Sequence, residues 1–293
     1  MKIQAFFDPN TFTVSYIIID EATKNCAIVD SVLDYDIFSG KINSKSADNL
    51  VAFVRENHLQ VEWILETHIH ADHLTAASYI KEKLAQTKVI KIAIGEGIFE
   101  VLNYWVKAFN IDDKNLLDGK QFDHIFKDEE GFKIGNLEVK FMTNPGHTPA
   151  CGSYLVDDAI FVGDLMFMPN LGTGRADFPG GDAIQQFNSI QKIFLLPQNT
   201  KVFTGHDYPK EGAHPSWQST VGDQKANNIL AKITDKKEYV KVRHERDQTL
   251  AVPKLLFPAI QINLRCGKLP NPESNGISYV KVPLDNCSAI LSK

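Results

Sequence analysis

The 293-residue sequence predicts an α+β fold, a four-layer αββα sandwich in which two sheets pack face to face under outer helices. Three observations predict it. Both halves of the chain run strands first and helices after, strand-like segments return in the middle, and the composition is ordinary for a globular chain, 43% hydrophobic and 23% charged. A doubly wound parallel sheet does not fit that order.

At the start, IQAFF (3–7), SYIIID (15–20) and NCAIVD (25–30) are short β-rich runs parted by the turn formers DPN and EATKN, as in antiparallel strands. A polar stretch around 39–47 follows. ADNLVAFVRENH then spaces Leu50, Phe53 and Val54 along one helix face, and VEWILE (61–66) reads as a buried strand. Next come a helix (LTAASYIKEKLA), a strand (KIAIG) and a helix (IFEVLNYWVKAF). The middle returns to strands with LEVKFM, GSYLVD and AIFVGD, before a helix over 182–195, the buried strand KVFTG and a charged helix over 234–250. In that last helix RHERD (243–247) is predicted to be a solvated face. Prolines at 253, 258, 270, 272 and 283 interrupt every potential helix beyond it, so 251–293 is predicted to be a Pro-rich arm packed on a single domain, 1–293.

The net charge of −5, without long single-sign runs, offers no positive field for a polyanion, so nucleic acid is not an expected partner. The opening MKIQAFFDPNTF lacks the features of a signal peptide, and no apolar stretch approaches bilayer length, so a cytoplasmic protein without a membrane partner is expected. Cys26, Cys151, Cys266 and Cys287 are scattered without CxxC spacing, which predicts reduced thiols rather than a disulfide framework.

The chemistry is concentrated in ETHIHADHLTAA (66–77). With only 9 histidines in the chain, HxHxDH should arise by chance on the order of once in a thousand sequences. At a strand end His68 and His70 point to one side, while Asp72 and His73 begin the next helix, where Asp72 is also a natural N-cap. The same grammar recurs at FMTNPGH (His147), AIFVGD (Asp164) and KVFTGH (His206): an apolar strand, a glycine, then a ligand type. Singly these are a loop histidine, a turn aspartate and a cap. Together they predict one metal site at a shared sheet edge.

HIHADH (68–73), His147, Asp164 and His206 resemble the metallo-β-lactamase superfamily over nearly the whole chain, which implies an αββα fold with metal at the sandwich edge. GHTPAC (146–151), GTGRADF (172–178), GHDY (205–208), NLRCG (263–267) and LPNPESNG (269–276) are similar to its persulfide dioxygenase branch, including the bacterial β-lactamase-like hydrolase subgroup. The resemblance implies one Fe(II) per chain on His68, His147 and Asp164, a facial set that leaves positions for a persulfide and O2. His70, Asp72, His73 and His206 then surround it, or hold a second metal. Glutathione persulfide, or a similar low-molecular-weight persulfide, would yield sulfite and thiol. Arg175 is expected on a substrate carboxylate, Tyr208 near the metal and Cys266 near the pocket, with Lys225 partly replacing a family arginine that is missing here. The loop LMFMPNLGTG is also longer than in the mitochondrial type.

The alternative is a dinuclear zinc thioesterase of the glyoxalase II kind, in which two zinc ions activate a hydroxide. That group typically has a histidine where this chain has Cys151, and an aromatic-rich stretch where it has GTGRADFPGG. A non-catalytic metal-binding sensor or partner protein is the remaining class, and a homodimer is the assembly considered.

Overall fold

Strands β1 (Lys2–Asp8), β2 (Thr13–Ile19) and β3 (Asn25–Val29) form the predicted antiparallel meander at the start of the first sheet. The structure is a computed structural model that describes residues 1–85 and 89–284, apart from the Lys114 side chain. The chain continues through β4 (Val32–Asp36), β5 (Lys41–Asn43), α1 (Lys45–Glu56), β6 (Gln60–Leu65), β7 (Leu74–Thr75), α2 (Ala77–Leu84), β8 (Lys91–Gly95), α3 (Ile98–Ala108) and β9 (His124–Phe126). Strands β6, β8 and β9 extend β3 in parallel, giving the order β1-β2-β3-β6-β8-β9, while β5-β4-β7 make a small separate sheet.

The second half supplies β10 (Gly131–Ile134), β11 (Leu137–Thr143), β12 (Gly152–Val156), β13 (Ala159–Phe161), α4 (Ala183–Ile193), β14 (Lys201–Phe203), β15 (Gln218–Thr220), α5 (Val221–Asn227), α6 (Lys236–Asp247) and α7 (Leu256–Asn263). Its strands line up in chain order as a second sheet, antiparallel except where β14 joins β13 in parallel.

Side chains on opposite faces of one strand go to different layers. Tyr16 and Ile18 of β2, with Val29 and Leu65, meet Phe141, Tyr154 and Phe161 between the sheets. Ile17, Ile19, Ile28 and Ile64 instead join Leu50, Ile80, Leu102 and Ile260 from the helices on the first outer face. On the other outer face Ile160 and Val202 pack with Phe187 and Ile190 of α4 and Tyr239 of α6. The predicted αββα sandwich is therefore observed. Burial on both faces also explains why the central strands read as unbroken apolar runs.

Several local expectations are corrected. Asp72 caps no helix: Leu74 and Thr75 first pair with β4, so α2 begins only at Ala77. His68 and His70 stand in a loop rather than on a strand, because β6 ends at Leu65. The arm predicted from 251 contains α7, with Pro258 in the first helical turn, where its missing N–H would have had no partner. Residues 268–284 form no helix or strand, turn once at 274–276 and are mostly exposed, whereas 285–293, including Cys287, lie outside the described residues. RHERD is not wholly solvated either. Arg243 and Asp247 are buried and paired at 2.6 Å, and they support the 173–176 loop through Thr173 O and the Ala176 N–H. Among the described residues no helix is long and apolar enough to cross a membrane.

Candidate metal centre

The ligand-type residues all lie just beyond strand ends, where the two sheets meet. His68 to His73 follow β6 in the first sheet, while His147, Asp164 and His206 follow β11, β13 and β14 in the second. The edges approach closely at Gly163, whose φ of +50° suits glycine and whose added Cβ would fall 2.4 Å from Thr67 Oγ1. Gly205 is equally confined: a Cβ there would meet Asp164 Oδ1 at 2.8 Å.

His68, His147 and Asp164 present ligand atoms within 4.8 Å of one another. Asp164 Oδ2 lies 3.9 Å from His68 Nε2 and 3.7 Å from His147 Nε2. Donors about 2.1 Å from one ion sit roughly 3–3.5 Å apart, so the Asp164 carboxylate needs to close on each imidazole by only tenths of an ångström to share an ion with it. The hydrogen bonds prepare these nitrogens. Thr67 Oγ1 donates to Asp30 Oδ2 at 2.8 Å, so it accepts from His68 Nδ1 at 3.0 Å. His147 Nδ1 donates to Arg175 O at 2.7 Å and His206 Nδ1 to Phe12 O at 3.2 Å. On His68 and His147 the bond fixes the tautomer and turns an unprotonated Nε2 toward the centre, whereas on His206 the Asp164 and Asp72 carboxylates outweigh burial and raise the imidazole above its ordinary value. Burial holds His68 and His147 below the ordinary imidazole value, so both are neutral and ready to coordinate near pH 7.

A second group lies beside the first. His70, Asp72 and His73 also bring ligand atoms within 4.8 Å, and His206 Nε2 lies 3.3 Å from Asp72 Oδ2 and 3.4 Å from Asp164 Oδ1. His73 Nε2 is buried without a hydrogen-bond partner, as expected of a nitrogen meant for another ligand. His70, however, faces Asp30 Oδ1 at 3.1 Å and Glu66 Oε2 at 3.5 Å. Burial disfavours its charge, but these two carboxylates outweigh burial and raise it well above the ordinary imidazole value.

Asp30, Glu66 and Asn263 were not singled out from the sequence. Asp30 and Glu66 end the apolar strand segments NCAIVD and VEWILE, the same signal that marks Asp164, so they were legible in principle. Asn263 carried no such signal. From the end of α7 its amide donates to His70 O and His73 O, both at 2.8 Å, and accepts from Thr75 N at 2.8 Å.

The expected substrate residues divide. Tyr208 stands at the mouth, 46% exposed, with its ring stacked on His206 at 5.8 Å. The Arg175 fork is already occupied: Nε and Nη2 donate to Asp177 and Nη1 to Ala251 O. Lys225 Nζ sits 5.6 Å over the Phe194 ring. Cys266 is fully buried, its thiol donates to Gln121 O at 3.1 Å, and burial raises it well above the ordinary thiol value. The structure thus does not bring Cys266 to the pocket, because α7 folds that segment into the core.

A profile of the Metallo-beta-lactamase superfamily matches residues 9–206. Glyoxylase B2 of Dictyostelium discoideum is 47% identical over 97% of both chains. A beta-lactamase hydrolase-like protein of Agrobacterium fabrum is also 47% identical over 97% of this chain, which spans only 64% of that protein. The mitochondrial persulfide dioxygenase ETHE1 of Bos taurus is 26% identical, covering 90% of this chain and 88% of its own. Among solved structures, ETHE1 from Myxococcus xanthus aligns with a TM-score of 0.72 at 26% identity, covering 92% of this chain and 100% of that one. On the family profile, these relatives and the His/Asp metal-binding site at the sandwich edge, the chain belongs to the metallo-beta-lactamase superfamily.

Proposed function

We propose that the protein is an iron-dependent persulfide dioxygenase that converts a low-molecular-weight persulfide, O2 and water into the parent thiol and sulfite. The observation that carries this reading is the buried set of His68, His147 and Asp164, whose ligand atoms lie within 4.8 Å of one another, while His70 faces the carboxylates of Asp30 and Glu66. Two imidazoles and one carboxylate are the ligand types of mononuclear non-haem iron oxygenases, and bound iron would supply the activation of O2. The chain's own residues hold the ligand rings in register, through Thr67 on His68 and the Arg175 carbonyl on His147. Similarity to the ETHE1 proteins supports the same reading.

With glutathione persulfide, iron-loaded protein is expected to take up O2 at an electrode and release sulfite. No uptake, combined with rapid cleavage of S-lactoylglutathione, would overturn the assignment.

A second reading, a dinuclear hydrolase, is favoured by the His70–Asp72–His73 group with His206 beside it, and by the 47% identity to a protein named Glyoxylase B2. Metal content separates the two. On the mononuclear reading Asp72→Ala and His206→Ala keep one iron per chain and lose roughly 10–100-fold in activity, as for residues that orient metal ligands. On the dinuclear reading either substitution takes metal content from two ions per chain toward one.

A further inference from the structure

Residues 162–182, between β13 and α4, contain no helix or strand, yet this segment touches two of the three ligands. The Arg175 carbonyl accepts from His147 Nδ1 at 2.7 Å, and the Gly174 N–H donates to Asp164 O at 3.1 Å. The approach is close: a Cβ on Gly174 would fall 2.1 Å from that Asp164 oxygen. Without a strand or helix to belong to, the buried polar groups on either side of Arg175 need partners from elsewhere.

Two outer helices supply them. Arg243 Nη1 of α6 donates to Thr173 O at 2.9 Å, Gln186 Nε2 of α4 donates to Gly174 O at 2.9 Å, and Asp247 Oδ2 of α6 accepts from Ala176 N at 3.1 Å. These bonds bracket the Arg175 carbonyl and leave it for His147. Tyr239 joins the two helices, its hydroxyl donating to Gln186 Oε1 at 2.8 Å, and Arg243 Nη2 pairs with Asp247 Oδ1 at 2.6 Å. Gln186, Tyr239, Arg243 and Asp247 are each 3% exposed or less, so solvent does not compete for these bonds.

Stability alone does not account for the charges. A buried ion pair is often matched or bettered by apolar side chains of similar volume, and the layer here is already apolar, with Phe187, Ile190 and Leu230 around Tyr239. Apolar side chains, however, cannot hold a loop carbonyl and a loop N–H at fixed positions.

We propose that Gln186, Arg243 and Asp247 are positioning residues of the metal centre: acting through residues 173–176, they hold His147 and Asp164 at the spacing that binds the ion. The proposal rests on the proposed function only in taking these two residues as ligands, which the dioxygenase and hydrolase readings share. Its test is metal affinity rather than turnover. Fe(II) binding is measured without oxygen by competition with a chelator, well below the melting temperature of each protein, and the visible absorption of bound Co(II) reports ligand geometry. Gln186→Met removes the amide and keeps the bulk. Arg243→Met combined with Asp247→Leu removes both charges, so that neither is left buried alone.

Both variants should weaken Fe(II) binding by roughly 10–100-fold and shift the Co(II) bands, as when groups that orient metal ligands are lost. Folded variants with wild-type Fe(II) affinity and wild-type Co(II) bands, whatever their melting temperatures, would overturn the proposal and leave the network a purely structural one. Failure of both to fold would do the same. His147→Ala separates the two ways of being wrong: if it too binds Fe(II) as the wild type does, the ligand assignment has failed and the positioning role falls with it. Absence of persulfide oxidation shows separately, at the oxygen electrode.

Discussion

Asn263 shows how one buried side chain outside the ligand set holds that set in place. Its amide joins the carbonyls of His70 and His73 to the N–H of Thr75, and only 2% of the residue is exposed. Asn263→Ala strands three buried backbone groups, each worth about 1–3 kcal/mol when left unpaired, so the melting temperature should fall. Metal affinity should drop by roughly 10–100-fold, since the loop carrying the histidines loses its brace. Asn263→Asp keeps the acceptor for Thr75 but loses both donors, so it should fall between wild type and the alanine variant. Metal content after dialysis and a thermal melt check both, and full metal retention by the alanine variant would show that the loop holds itself. The ligands were legible because HxHxDH is rare and a glycine-then-ligand pattern recurs at three strand ends. Asn263 was not, because its value comes from α7 lying across the loop, and nothing in NLRCG announces that.

At the scale of elements, Asp20 ties a turn of one sheet to a turn of the other. Its carboxylate accepts from Thr23 Oγ1 at 2.6 Å and Ala22 N at 3.1 Å beside β2, and from Asn136 N at 2.8 Å between β10 and β11. The bonds from Thr23 and Asn136 hold the carboxyl below the ordinary aspartate value. With the folded value depressed, the stabilisation is present above the unfolded value and is lost as pH falls through the folded one. Asp20→Asn should therefore lower the melting temperature at pH 7, and the gap to wild type should close in acid, below about pH 3. A gap that persists unchanged in acid would assign the effect to something other than the carboxylate. Asp182 stabilises α4 as its N-cap by accepting from Ile184 N and Gln185 N, and Asp182→Ala should cost about 1 kcal/mol in a denaturant melt. Strands and most helices were legible from periodicity. The start of α2 and the existence of α7 were not, because a tertiary strand pairing delays the first and a proline harmless in a first turn hides the second.

Across the whole molecule, the four layers follow from strands that are apolar on both faces. SYIII sends alternate residues to the inter-sheet core and to the helices, so one uninterrupted run specifies both interiors. The same architecture places the metal centre between two separately folded edges, since His68 comes from the first sheet while His147 and Asp164 come from the second. A metal held by all three thus links the sheets, and it binds the folded state far better than an unfolded chain in which the ligands are dispersed. At free metal about 100 times the dissociation constant, that linkage adds about 2.7 kcal/mol, or about 5 °C or more in melting temperature for a chain of this size. Chelation should therefore lower the melting temperature of wild type by that amount, and restoring the metal should raise it again. His68→Ala, which removes the first sheet's contribution, should melt at one temperature with or without chelator. If chelator-treated wild type, verified free of metal, melts with the loaded protein, then the ion does not join the sheets and the ligand set assigned here is wrong.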